Sequence, residues 1–167
     1  GLSQRDSYYH RIPLHVAVLS GYIDTVVSLL KLDLKTSEQK DDNGRVPLHY
    51  ACKEVVGGEV LTRLLLRAYP DGATIADDGG FLPLHVACRY FASLSVIRML
   101  IRAAPQSLSA RTKKGSTPLS CAHGNRSGLG PDIVGVLERC AEESTERVTD
   151  IQKRTSARED HQAMNEN

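Results

Sequence analysis

Apolar positions along this chain fall into two alternating settings. The shorter one is a Leu and an Ala three residues apart, just after a proline: Leu48 and Ala51 after Pro47, Leu84 and Ala87 after Pro83. That spacing puts both side chains on one face of a helix. The longer setting is an aliphatic run beginning 13 or 14 residues after the proline: "VVSLL" (26–30), "VLTRLLL" (60–66), "VIRMLI" (96–101) and "DIVGVL" (132–137). These runs are apolar on more than one side, as a helix held between neighbours must be. Two of them stop at a proline, in "RAYP" (67–70) and "RAAP" (102–105).

Both settings recur with a fixed period. Pro13, Pro47, Pro83 and Pro118 are 34, 36 and 35 residues apart, within "RIPLHVAV", "RVPLHYAC", "FLPLHVAC" and "STPLSCAH". His15, His49 and His85 each stand two residues after their proline. Gly44, Gly80 and Gly115 precede the last three prolines by three residues; His10 holds that place in the first copy, whose leading turn is therefore expected to be incomplete. "DDNG" (41–44) and "DDGG" (77–80) are strong turn signals, because Gly and Asn accept positive φ at low cost. Proline then supplies a preset φ at the first helical position. Each copy thus predicts a turn, a short helix, a loop and a longer helix. One such unit cannot bury its own apolar face, but stacked units can. The expected fold is an all-α solenoid of stacked helix-turn-helix units with β-turn or hairpin tips.

This pattern resembles the ankyrin repeat, whose signature is a turn, G-x-T-P-L-H-x-A-A, and a second helix ending in a leucine pair. The resemblance covers about residues 10–140 in four copies (about 10–38, 39–74, 75–109 and 110–140), the last degenerate. Residues 1–9 are expected to be an extension or divergent cap, and 141–167 a charged helix or disordered tail. The chain departs from the signature at the threonine, which caps the first helix: Ile12, Val46 and Leu82 replace it. Only Thr117 remains, in the copy where Ser120 replaces the histidine. A lost capping hydroxyl costs about 1 kcal/mol, so a stack less stable than the family consensus is expected. The family's turn aspartate matches Asp41 and Asp77 and becomes Thr112 in the last copy.

Composition removes several classes of function. Lys plus Arg number 21 against 20 for Asp plus Glu, so bulk charge predicts no nucleic-acid partner. No apolar run approaches the ~20 residues of a membrane-spanning helix. The three histidines, one in each of the first three copies, should stand ~8–10 Å apart, whereas zinc ligands converge at ~2.0–2.1 Å from one centre. No metal or cofactor is expected, and the histidines are read as structural. Cys52 and Cys88 hold the same place in adjacent copies and are read as buried filler, not a disulfide, which suits a reducing, intracellular compartment. "HGNRSGLGPD" (123–132) is glycine-rich and precedes a helix, yet it lacks the lysine of a nucleotide loop and follows no strand. Asn125-Arg126-Ser127, formally a glycosylation sequon, is read as chance. From residue 138 onward five Lys/Arg face eight Asp/Glu, a net of −3 that leaves +4 for the remainder. Spacing through Leu137, Ala141, Ser144, Val148, Ile151 and Thr155 would make only a weak coiled-coil seam, so a fraying helix is expected. Opening on Gly1, the sequence is expected to be a processed or excised piece.

No nucleophile, base and orienting group occur together, so a non-enzymatic protein-binding module is expected, monomeric and with no membrane insertion. The resemblance implies that binding residues flank the turn glycine and follow the Ala-Ala pair, on a concave face. Carried over position by position, these are Lys40, Asp42, Asn43, Arg45, Lys53 and Glu54 in the second copy, and Asp78, Phe81, Arg89 and Tyr90 in the third. The fourth gives Arg111, Lys113, Lys114, Ser116 and Asn125; the first offers only Leu19 and Ser20. Basic residues outnumber acids here, which points to an acidic segment as ligand. Phe81, Arg89 and Tyr90 are expected to form the centre, with Phe81 alternatively folded onto the neighbouring turn. A second expectation is a regulatory or targeting segment of a larger enzyme, such as a kinase, ubiquitin ligase or acyltransferase; a third is a plain spacer.

Overall fold

The computed structural model describes residues 4, 6, 9–53, 57–90, 92–124 and 130–143. Four short helices each open on a proline: α1 (Pro13–Leu19), α3 (Pro47–Ala51), α5 (Pro83–Arg89) and α7 (Pro118–His123). Proline suits that first position, where its missing N–H is not needed. Each is followed by a longer helix: α2 (Ile23–Leu32), α4 (Gly58–Ala68), α6 (Leu94–Ala103) and α8 (130–143). Pro70 and Pro105 end α4 and α6 and start the 3-10 turns Pro70–Thr74 and Pro105–Ser109. The matching turn in the first copy, Leu34–Glu38, lacks proline and is opened by Asp33, whose carboxylate accepts from Lys35 N–H at 2.9 Å.

The short helices pack side by side in one layer, and α2, α4 and α6 pack in a second behind them. Leu14, Leu48 and Leu84 lie buried between the layers with Ala17, Ala51 and Ala87. Leu61 and Leu65 of α4, and Ile97 and Leu100 of α6, face them, and Ile133, Val136 and Leu137 of α8 close the row. Each fully buried aliphatic side chain contributes about 1.5–3 kcal/mol. Cys52 and Cys88 are fully buried, and burial pushes their ionisation well above the ordinary thiol range.

The replaced threonines have a physical counterpart. Ile12 and Val46 are wholly buried, and their apolar burial, about 1.5–3 kcal/mol each, offsets the missing hydroxyl. In the last copy Thr117 Oγ1 accepts from Ser120 N–H at 3.2 Å and Ser120 Oγ accepts from Thr117 N–H at 2.9 Å. There the hydroxyl pair replaces the histidine.

Turn tips are joined edge to edge by backbone hydrogen bonds. Asp42 N–H donates to Tyr9 C=O, Asp78 N–H to Asn43 C=O, and Lys113 N–H to Gly79 C=O, at 2.9–3.0 Å. The first of these ties the first copy into the same ladder of tips. Asp6 N–H donates to Arg11 C=O at 2.8 Å, and the Asp6 carboxylate accepts from the N–H groups of Tyr9 and Arg11. Those bonds hold its carboxyl down at about 2. His10 takes the glycine's place at φ 48. A side-chain hydrogen bond with Asp42 and the turn's own bonds hold it in that left-handed conformation.

At the second and third tips the close approach of the next tip leaves no room for a β-carbon. At Gly80 (φ 80) an added Cβ would stand 2.7 Å from Lys113 N, whereas at Gly115 (φ 80) it would meet nothing within 4 Å. Gly115→Ala should therefore cost only the left-handed penalty, about 1 kcal/mol, and Gly80→Ala roughly 3 kcal/mol. Urea unfolding of the two variants checks this, and equal losses would contradict a stacked ladder of tips.

Candidate functional site

Each histidine of the repeated motif is tied to backbone on both sides. Nδ1 of His15, His49 and His85 accepts from the N–H of Ile12, Val46 and Leu82, at 3.2–3.3 Å. Nε2–H then reaches into the next copy: His15 to Arg45 C=O at 2.9 Å, and His49 to Phe81 C=O at 3.0 Å. His85 divides its bond between Ala110 and Ser116 carbonyls at 3.2 and 3.1 Å. Both nitrogens are engaged, so no lone pair is left to hold a metal.

Between the second and third copies the short-helix layer and the turn tips form a small cleft. It encloses about 50 Å³ and is lined by Arg45, Tyr50, Lys53, Phe81, Arg89 and Tyr90 among others. Asp41 and Asp77 set its frame. Asp41 Oδ1 accepts from the N–H groups of Asn43 and Arg45, and Asp77 Oδ1 from those of Gly79 and Phe81, at 2.8–2.9 Å. Their other oxygens accept from Tyr50 O–H at 2.5 Å and Arg45 Nε–H at 3.3 Å respectively. Burial, with the Asp41 carboxylate beside it, pushes the Tyr50 hydroxyl up to about 12. Asp77 thus pairs with Arg45, and Lys53 and Arg89 are the remaining cations of the cleft.

The aromatic rings order the cations. Lys53 Nζ lies 4.9 Å from the Tyr90 ring centre and 6.0 Å from that of Tyr50. The Arg89 guanidinium lies 5.6 Å from Phe81 and 5.8 Å from Tyr90. Neither Lys53 nor Arg89 has a carboxylate partner among the described residues. The Phe81 ring is half-buried, edge-on to His85 at 6.0 Å and laid over Gly79, where a Cβ would come within 3.0 Å of it. It covers its own turn, while Tyr90 is the exposed ring.

Of the residues expected to bind, the structure brings Arg45, Lys53, Phe81, Arg89 and Tyr90 together. Asp78 is exposed at the third tip. Arg111, Lys113, Lys114 and Ser116 belong to the last tip and do not line the cleft; Arg111 donates to Gly115 C=O at 3.1 Å. Glu54 and Asn125 lie outside the described residues, as do half of the glycine-rich loop and the chain beyond 143, with the seam from Ser144 onward. Sequence reasoning missed Tyr50. Its signal was an aromatic at the place held by Val16, Val86 and Cys121 in the other copies.

A model of ankyrin repeats in three copies matches residues 14–109, more than half of the chain. The chain belongs to the ankyrin repeat family. Ankyrin repeats are generally protein–protein interaction modules and typically non-catalytic. No curated protein matches this ankyrin chain in sequence. No helix among the described residues is long and apolar enough to cross a membrane.

The inter-repeat histidines give the ankyrin stack a pH dependence. Burial is the main cause that lowers the values of His49 and His85 below the ordinary 6.5, despite carbonyl bonds that favour the cation. A folded-state value below the unfolded one means that stability is complete above about pH 6.5 and is lost as pH falls toward the folded values. Protonation would also set an Nδ1–H against the Val46 or Leu82 N–H. The slope should approach 1.4 kcal/mol per pH unit for each histidine involved. Urea midpoints flat above neutrality and falling below pH 6.5, with a shallower fall in His49→Gln, are expected; a midpoint that rises on acidification would contradict the sign.

Proposed function

We propose that this ankyrin domain is a non-catalytic, monomeric module that binds an acidic segment of another protein on the face made by its turn tips and short helices. The cleft between the second and third copies is its centre. The observation that carries the reading is Tyr90, exposed between Lys53 and Arg89, with neither cation neutralised by a carboxylate. Aromatic residues and arginine dominate the energetics of interfaces. Cation–ring contacts, worth about 0.5–1 kcal/mol each at exposed sites, hold these side chains ready and reduce the ordering cost of binding. At about 50 Å³ the cleft suits one inserted side chain, since small-molecule pockets run to about 300–1,000 Å³.

Affinity purification tests this, with wild type, Lys53→Ala, Arg89→Ala and Tyr90→Ala used as parallel baits. A partner of this face should be retained about tenfold less by each variant and should elute as salt rises. Retention equal to wild type in all three would contradict the proposal.

A further inference from the structure

We infer that the back of the stack carries a second docking surface, a groove between α6 and α8 that takes an acidic, partly apolar peptide segment of another protein. The groove encloses about 510 Å³, roughly ten times the volume of the cleft on the opposite layer. Its floor is apolar, with Ile101 of α6 and Val136 of α8 both buried at its base. Its rim is cationic. Arg98 and Arg102 are exposed and four residues apart on α6, the spacing at which like charges repel, and Arg139 joins them from α8. None of the three makes an ion pair among the described residues; Glu143 also lines the groove, so three guanidinia face one carboxylate.

Charge complementarity selects the occupant. Residues 144–167 hold five Asp/Glu against four Lys/Arg, a net of only −1, so the chain's own carboxyl-terminal stretch complements the rim poorly. A bare phosphate would satisfy the guanidinia and leave the floor wet. A peptide that alternates acidic and aliphatic residues does both: its carboxylates take the planar forks of the arginines, and its side chains cover Ile101 and Val136.

The test is fluorescence anisotropy of the full chain with a short labelled peptide alternating glutamate and leucine. Its glutamine-for-glutamate version is the control and inorganic pyrophosphate the competitor. Wild type should bind the acidic peptide. The Arg98→Gln/Arg102→Gln variant should bind about tenfold more weakly. Arg139→Gln should also weaken binding, the glutamine peptide should bind poorly, and Tyr90→Ala should bind as wild type does. Because the substituted arginines are exposed, the variants should keep wild-type melting curves. No binding by wild type, or unchanged affinity in the arginine variants, overturns the inference. So does loss in Tyr90→Ala alone, which places the peptide on the other face. Full displacement by equimolar pyrophosphate overturns it as well, by assigning the groove to small anions. None of these failures counts against a partner protein's use of the Tyr90 face.

Discussion

One imidazole in each of the first three copies, held between its own helix cap and a carbonyl of the next copy, is the constraint on which the rest of the structure depends. Nδ1 must accept and Nε2 must donate, so the ring has to be neutral and in one tautomer. The carbonyl it meets precedes the cap residue of the next short helix, as at Arg45 and Phe81. That fixes where the next proline helix starts and brings the tips close enough to share backbone hydrogen bonds. The glycines follow from this closeness, and so do the turn aspartates, which gather the tip amides on one carboxylate oxygen. Apolar burial supplies most of the stabilisation, while these directional bonds set the register of one copy on the next.

Much of this was legible in the sequence because the period repeats the same local chemistry. Pro47 and Pro83 predict helix starts, Gly44 and Gly80 predict turns, and the aliphatic runs predict the second layer. Departures from the period were harder to read. His10 carries a β-carbon in a left-handed position, and only the three-dimensional surroundings of Asp6 and Asp42 reveal what holds it there. The apolar caps Ile12 and Val46 look like losses against the family signature. Their gain depends on total burial between copies, which the residue type alone does not disclose.

The candidate site was legible in its membership and not in its arrangement. Position within the repeat named Arg45, Lys53, Phe81, Arg89 and Tyr90, but not which ring would lie flat. Phe81 sits beside a turn whose Gly79 leaves room for its ring, so the residue that looked like the projecting anchor is half-buried. Tyr90, one residue beyond α5, is the ring left exposed between two cations. Tyr50 escaped notice because its role comes from Asp41, nine residues earlier, and from the ring of His15 in the preceding copy. Arg98 and Arg102 meet Arg139, more than 35 residues further along the chain, only when α6 and α8 are packed together.

The state of the three imidazoles tests the central claim most directly. A long-range proton–nitrogen correlation spectrum of the labelled chain near neutral pH reports tautomer and charge for each ring. Neutral rings carrying their proton on Nε2 are predicted for His15, His49 and His85. Protonation on Nδ1, a charged ring, or rapid averaging of the two tautomers at these positions would contradict the bridge that joins each repeat to the next.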